Sequence, residues 1–413
     1  MLKDEKQRSK RMGLNSTPAA DRVHIGIFGK RNTGKSSVIN AITGQSLAIV
    51  SEVKGTTTDP VSKAMELLPL GPVVLIDTPG LDDEGTLGKL RVQKSYQVLN
   101  KTDVALLVAD AAQGLLPEDE ALVRRFREKE IPYLIVYNKL DLVPRAHPDQ
   151  GGDEIWISAA TGENIHALKE KIARMVPTGG TTPPIVADLL SPLDFVVLVT
   201  PIDQSAPKGR LILPQQQTIR DVLEADATAI VVKEHQLWDT LCSLGKKPRL
   251  VITDSQVFSK VSADVPRDIP LTSFSILFAR HKGILEDTVA GVRAVEALED
   301  GDKVLICEGC THHRQCDDIG TVKLPRWLRA HTGRKLDFVF ASGSEFPSNL
   351  SPYRLIVHCG GCMLNEREVK YRMRCAKNQG VPMTNYGILI AYVQGILKRS
   401  VEPFPAIALR LED

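Results

Sequence analysis

Short β-branched runs alternate with helix-like stretches through the first part of the chain: HIGIFG, VVLID, DVALLVAD, YLIVYN and IWIS. That alternation over residues 21–177 reads as a parallel sheet wrapped by helices. The segment Val176-Pro177-Thr178-Gly179-Gly180-Thr181-Thr182-Pro183-Pro184 can neither continue a helix nor join a central strand, so it marks a joint. A second block, 185–264, carries strands near DFVVLV, TAIVV and RLVIT around a helix-like stretch beginning at Gln215, and ends near Asp264-Val265-Pro266. The third, 268–413, alternates again. It offers a strand at TSFSILF, a helix over 283–298, a strand at KVLIC, a helix near Leu328, strands at LDFVFA and YRLIVH, then helices near Val369 and Leu389. No internal repeat is visible, and residues 1–20 read as a flexible tail.

Length agrees with this division, since 413 residues exceed one ordinary domain. Charge narrows the partners. With 52 Lys/Arg against 50 Asp/Glu the balance is +2. The first twenty residues hold five basic and two acidic side chains, so the remainder is near −1. Gripping nucleic acid usually needs a basic excess on a folded domain, so no nucleic-acid partner is expected. No run approaches the roughly 18 to 20 apolar residues that span a bilayer, and MLKDEKQRSKRMGLNS lacks the apolar core of a secretory signal. A cytoplasmic protein without membrane contact is expected. Five of the seven cysteines fall between Cys307 and Cys362, and in a reducing compartment such a cluster points to metal rather than disulfides.

The first block carries the densest chemistry. After HIGIF comes Gly29-Lys30-Arg31-Asn32-Thr33-Gly34-Lys35-Ser36, a complete GxxxxGKS between a strand and a helix. Backbone N–H groups of such a loop wrap phosphates at a helix N-terminus, Lys35 reaches the outer phosphates and Ser36 holds Mg²⁺. Gly29, Asn32, Gly34, Lys35, Ser36 and Ser37 form the expected phosphate set. Asp77-Thr78-Pro79-Gly80 closes VVLID, where Asp77 serves the metal's shell and the Gly80 N–H meets a γ-phosphate. Asn138-Lys139-Leu140-Asp141 closes YLIVY, and Asp141 is placed to accept from guanine N1–H and the 2-amino group, a donor pair that adenine lacks. Ser158-Ala159-Ala160 completes the base pocket. Gly55-Thr56-Thr57-Thr58-Asp59 lies where a switch loop lends a hydroxyl to Mg²⁺, with Thr57 the favoured donor. Five elements in this order specify GTP and Mg²⁺. The expected fold class is therefore α/β, a P-loop GTPase domain followed by two further α/β domains with largely parallel sheets.

The set resembles the GTPases of the Era and tRNA-modification type, whose element at Thr56-Thr57 lies in a GTT context. The resemblance implies that Asn32 helps bind K⁺ beside the phosphates. Leu81 stands where Ras-like proteins carry the Gln that orients water, so slow, K⁺-stimulated hydrolysis is expected.

Cys307-Glu308-Gly309-Cys310-Thr311-His312 follows the strand KVLI, and His358-Cys359-Gly360-Gly361-Cys362 follows YRLIV. Both groups sit just past strands, at the end of an open α/β sheet where ligands collect. Cys307-x-x-Cys310 with Cys359-x-x-Cys362 reads as a four-thiolate site for structural zinc or an iron–sulfur cluster, and the histidines tilt it towards a mixed site. Cys307 reads equally as a buried strand residue. Cys242 reads as core, and Cys316 and Cys375 have no partner at a recognisable spacing.

Cys310-Thr311-His312 and His358-Cys359-Gly360-Gly361-Cys362, with 45 residues between the histidines, resemble the C-x-H … H-C-x-x-C pattern of the GTPases that mature FeFe-hydrogenase. GTTTDPV, PKGRLILPQ and the CTHH segment resemble that family too. The resemblance implies a homodimer, with a dimerisation domain over 185–264 and a cluster domain over 268–413. It implies a 4Fe-4S cluster on Cys310, Cys359 and Cys362, with His312, His358 or an exchangeable ligand at the fourth iron; Cys307 competes for that place. It further implies a transient diiron precursor made with two radical-SAM enzymes and delivered to the hydrogenase apoprotein. An RNA-associated GTPase with a zinc-stabilised tail, or a metallochaperone GTPase for another enzyme, are the alternative readings of the same residues.

Overall fold

The computed structural model describes residues 19–44, 60–80, 95–143, 152–176, 183–201, 211–309, 318–343, 346–362 and 364–411. The chain divides into two units, 1–180 and 181–413.

In the first unit six strands form one sheet: β1 (Val23–Phe28), β2 (Val61–Leu67), β3 (Gly71–Asp77), β4 (Val104–Asp110), β5 (Tyr133–Asn138) and β6 (Glu154–Trp156). Their order is β2-β3-β1-β4-β5-β6, parallel except for the antiparallel β2–β3 pair. β4 is apolar at nearly every position because both its faces are covered. One face packs Ile25, Ile27, Leu106 and Val136 against Val38, Leu168 and Ile172, from helices Lys35–Thr43 and Ile165–Met175. The other packs Phe28, Ile76 and Leu107 against Leu122 and Phe126 of helix Pro117–Glu128. That helix begins with Pro at its first position. Acidic residues fill its first turn and Arg125 and Arg127 its last, each end matching the helix dipole. β1, β3, β4 and β5 run in one direction, so their carboxyl ends gather the loops that carry the sequence motifs.

The second unit holds two four-stranded parallel sheets. The first contains β7 (Phe195–Val199), β8 (Thr228–Val232), β9 (Leu250–Thr253) and β10 (Leu271–Ser273) in the order β10-β9-β7-β8. The second contains β11 (Lys303–Glu308), β12 (Asp337–Ser342), β13 (Leu355–His358) and β14 (Met383–Asn385) in the order β12-β11-β13-β14. One continuous apolar core joins them, running from Ile185 through Leu198, Phe258 and Leu277 to Ile306, Ile356, Ile388 and Val401. The boundary expected near 264–268 divides neither the core nor the first sheet, since β10 lies beyond it and pairs with β9. The Arg399 guanidinium reinforces the join by donating to the carbonyls of Val265 and Pro266, both at 2.8 Å.

TSFSILF departs from its expected strand. β10 ends at Ser273, and Phe274–His281 is a helix whose first turn is capped by Ser273 Oγ accepting from Ile276 N at 3.3 Å. Phe274, Ile276, Leu277, Phe278 and Ala279 are all buried, so the run is apolar on every side and carries no period that separates helix from strand. Cys242 is a second correction. It is exposed rather than core, on the short helix Leu237–Ser243, of which only Leu237 is buried. Among the described residues no helix is long and apolar enough to cross a membrane.

Candidate functional site

The phosphate loop leaves β1 and enters helix Lys35–Thr43. Gly29 and Gly34 have φ of 140° and 89°. A Cβ on Gly29 would collide with the Val108 carbonyl and one on Gly34 with the Asn138 amide, so both positions require glycine. Lys35 is buried, and its ammonium donates to the carbonyls of Gly29 at 2.9 Å and Lys30 at 2.5 Å, poised over the loop. Ser36 Oγ donates to Asp77 Oδ2 at 3.2 Å. Burial pushes the Asp77 carboxyl above the usual carboxylate range, against the pull of the Lys35 ammonium and the Ser36 hydroxyl. A hydroxyl and a half-desolvated carboxylate at this distance are the hard oxygen donors that Mg²⁺ takes, so the residues fit that ion. Thr78 Oγ1 donates to the Ile27 carbonyl at 2.6 Å and fixes the β3 exit against β1, and Gly80 follows, buried.

The base-binding loops are tied to the phosphate loop through one side chain. Asn138 ends β5; its Nδ2 donates to the Thr33 carbonyl at 3.0 Å, and its Oδ1 accepts from Ala159 N at 3.0 Å. Ser158 Oγ donates to Asp141 Oδ1 at 2.5 Å and accepts from Thr161 N at 3.1 Å. Gly34, Ser37, Asn138, Lys139, Asp141, Ala159 and Ala160 line a cavity of about 550 Å³, large enough for a nucleoside. Thus elements separated by more than a hundred residues converge where the motifs placed them. Asp110, which the motif reading missed, accepts from Lys139 Nζ at 2.7 Å. Burial works against it, yet the Lys139 ammonium and the Ala112 amide hold its carboxyl below the usual range. Its place at the end of β4, level with Asn138 in the sheet register, was the available signal. Asn32 is exposed with φ of 61°. Thr57 and Leu81 lie outside the described residues.

The cysteine site lies past β11 and β13, whose parallel register sets Cys307 beside His358. Cys359 N donates to the Cys307 carbonyl at 2.8 Å, which starts the turn. Cys359 Sγ then accepts from Gly309 N at 3.0 Å and Gly361 N at 3.4 Å. Burial raises the Cys359 thiol above its usual range, and the two backbone donors converging on the sulfur work against that rise, favouring the thiolate form that binds metal. Cys362 follows, half-buried. Cys310 and His312 lie outside the described residues, and among the described residues no three His, Cys, Asp or Glu side chains group as metal ligands.

Two expected ligands are buried, and one of them is hydrogen-bonded elsewhere. Cys307 is 1% exposed, and burial pushes its thiol up to about 12 despite the nearby Arg372, so it stays protonated at neutral pH. His358, also 1% exposed, uses both ring nitrogens. Nε2 lies 3.1 Å from the Arg372 guanidinium and must accept, so Nδ1 carries the proton and donates to the Cys359 carbonyl at 2.7 Å. Burial and the Arg372 charge push the imidazole down to about 3, so it stays neutral. Arg372 in turn donates to Glu368 Oε1 at 2.8 Å and to the Gly343 carbonyl at 2.9 Å. Sequence reading missed this bracing, although Arg372 falls on the apolar stripe Val369, Arg372, Met373, Ala376 of helix Glu366–Asn378, an anomaly visible in the spacing.

Comparison with known proteins places this geometry in context. Residues 24–139 match a family model described as a 50S ribosome-binding GTPase. Residues 185–283 match the Hydrogen maturase F dimerization domain, and residues 286–403 the Hydrogen maturase F tetramerization domain. The tRNA modification GTPase MnmE of Thiobacillus denitrificans is 36% identical over 147 residues, covering 35% of this chain and 32% of that protein. Its counterpart in Nitrosomonas eutropha is 33% identical over 158 residues, covering 37% and 35%. The chain thus spans about a third of the length of these relatives. Among solved structures, Era of Aquifex aeolicus bound to GDP.AlF4- is similar at 21% identity and a TM-score of 0.35, covering 54% of this chain and 98% of that one.

Proposed function

Because the chain belongs to the hydrogen maturase F family, with a GTPase domain followed by that family's dimerization and tetramerization domains, we propose that it is a GTP-hydrolysing scaffold for the FeFe-hydrogenase cofactor. The observation that carries the reading is the pair of backbone amides meeting Cys359 Sγ inside the segment matched to the tetramerization domain. Cys310, Cys359 and Cys362 hold a 4Fe-4S cluster. Their three thiolates satisfy three irons. The fourth iron takes His312 or an exogenous ligand, because His358 and Cys307 are committed to the fold. When bound, the cluster supplies an iron with an exchangeable position for docking a diiron precursor. That precursor is cargo, received with two radical-SAM enzymes and passed to the hydrogenase apoprotein.

In the GTPase domain Lys35 and the loop amides bind the phosphates, Ser36 and Thr57 ligate Mg²⁺, and Asp77 orders its shell. Gly80 meets the γ-phosphate and Asp141 reads guanine. Hydrolysis is slow, with K⁺ at Asn32 supplying charge that Leu81 cannot. The protein works in the cytoplasm as a homodimer joined through 185–283. Anaerobic purification with iron, sulfide and zinc analysis tests the scaffold: about four irons and four sulfides per chain are expected, and zinc without iron would remove it. The nucleotide state sets hydrogenase docking through the loops of Thr57 and Gly80. Equal affinity for apo-hydrogenase with GTP and with GDP would sink that coupling.

A further inference from the structure

Lys282 is 5% exposed and closes the C-terminus of helix Phe274–His281, inside the segment matched to the dimerization domain. Its Nζ reaches 79 residues along the chain to donate to the Gly361 carbonyl, and it also donates to the Leu364 carbonyl at 3.0 Å. These two carbonyls bracket Cys362, and Leu364 N closes the same turn onto Gly361 O at 3.0 Å. Gly361 has φ of 63°, and a Cβ there would crowd Val369 Cγ2 at 3.2 Å, so the turn keeps its glycine. The Lys282 backbone is itself fixed. Its N–H donates to the Phe278 carbonyl at 3.0 Å, His281 Nδ1 bonds the Pro183 carbonyl at 2.7 Å, and Arg280 pairs with Asp188.

We propose that Lys282 is a positioning residue for the cysteine turn, so that the site is completed by a side chain from the dimerization segment. In a trans peptide the carbonyl and the next N–H point in opposite directions. An ammonium holding the Gly361 carbonyl therefore turns the Cys362 N–H to the opposite side and fixes how the turn carries Cys362. The same ammonium brings a buried positive charge to the cysteine turn. It also favours the reduced, more negative state of a bound cluster. The cluster half of this statement rests on the scaffold reading; the turn half does not.

The test uses the full chain with Lys282→Met, which removes donor and charge, and Lys282→Gln, which keeps a donor without the charge. Amide hydrogen exchange of the peptide covering 358–365 is measured first in the metal-free protein. Loss of these hydrogen bonds in Lys282→Met should speed exchange roughly tenfold, while peptides from β7 and β9 keep wild-type rates. Unchanged exchange in that peptide overturns the proposal. Should Lys282→Met fail to fold, Lys282→Gln decides, with a smaller acceleration expected and none overturning it. After anaerobic reconstitution, both variants should show a midpoint potential more negative than wild type by electron paramagnetic resonance titration. An unshifted potential refutes the electrostatic half. Wild-type protein that assembles no iron cluster defeats the scaffold reading, while the exchange result still judges Lys282.

Discussion

The nucleotide site and the cysteine turn are braced in different ways. At the nucleotide site the groups that bind are also the groups that hold one another: Lys35 on the Gly29 carbonyl, Asn138 between Thr33 and Ala159, Ser158 on Asp141. The cysteine turn is braced in addition by residues outside its motif. Arg372 locks His358, and Lys282 holds the carbonyls of Gly361 and Leu364. A site of the first kind survives transfer between proteins as a set of motifs. One of the second kind depends on its surrounding fold, here on a core shared by two sheets.

The widest break in that comparison is between the units themselves. On the scaffold reading, Cys359→Ser should abolish the cluster and leave basal GTP hydrolysis within about twofold, since the two sites lie in separate units. Lys35→Ala should lower hydrolysis by on the order of 10² to 10³ and spare iron content. Joint loss in either variant, measured by iron analysis beside a phosphate-release assay, would mean that the two units do not act separately.

Asp141→Asn tests the self-bracing site at its most specific contact. Two hydrogen bonds from guanine to a carboxylate are each worth about 1.5 to 3 kcal/mol, so GTP affinity should fall roughly 10²- to 10⁴-fold. Xanthosine triphosphate, whose base keeps N1–H but carries a carbonyl in place of the 2-amino group, matches the Asn amide and should gain. Competition binding with both nucleotides measures the exchange, and a retained preference for GTP would reject the assignment.

Arg372→Met probes the bracing of the other site. It leaves the Glu368 carboxylate buried without its partner guanidinium, a loss of about 3 to 5 kcal/mol. Thermal melts should show the second unit's transition falling while that of the first holds. Adding Glu368→Gln should recover part of the loss, and no recovery would show that the ion pair is not what Arg372 contributes.

The same contrast explains what could be read from the chain. GxxxxGKS, DTPG, NKLD and SAA are contiguous, each follows a strand, and parallel strands bring their ends together; spacing alone therefore specified the pocket. The position of C-G-G-C just past β13 was legible for the same reason. The roles of Lys282 and Arg372 were not, because each depends on a contact set by tertiary packing across 79 and 14 residues. TSFSILF was misread because complete burial erases periodicity. The merging of the second and third blocks into one core had no local signal either, since Arg399 meets Val265 across 134 residues.

The smallest expected effect concerns Asn32, and it needs a variant chosen for the backbone. Asn32 lies in the left-handed region, where asparagine is tolerated without any ion to explain it. Asn32→Ala would therefore strain the loop and confuse a conformational penalty with a lost ligand. Asn32→Gly keeps the conformation and removes only the amide. If that amide carbonyl helps hold K⁺ beside the phosphates, replacing K⁺ by Na⁺ should slow wild-type turnover by roughly tenfold, about 1.4 kcal/mol of barrier. Asn32→Gly should turn over at one slow rate in either salt. A wild-type rate indifferent to the cation would remove K⁺ from the site. A cation response that survives in Asn32→Gly would move the ion to ligands other than Asn32, leaving the phosphate loop in the form that Lys35 and the glycines already give it.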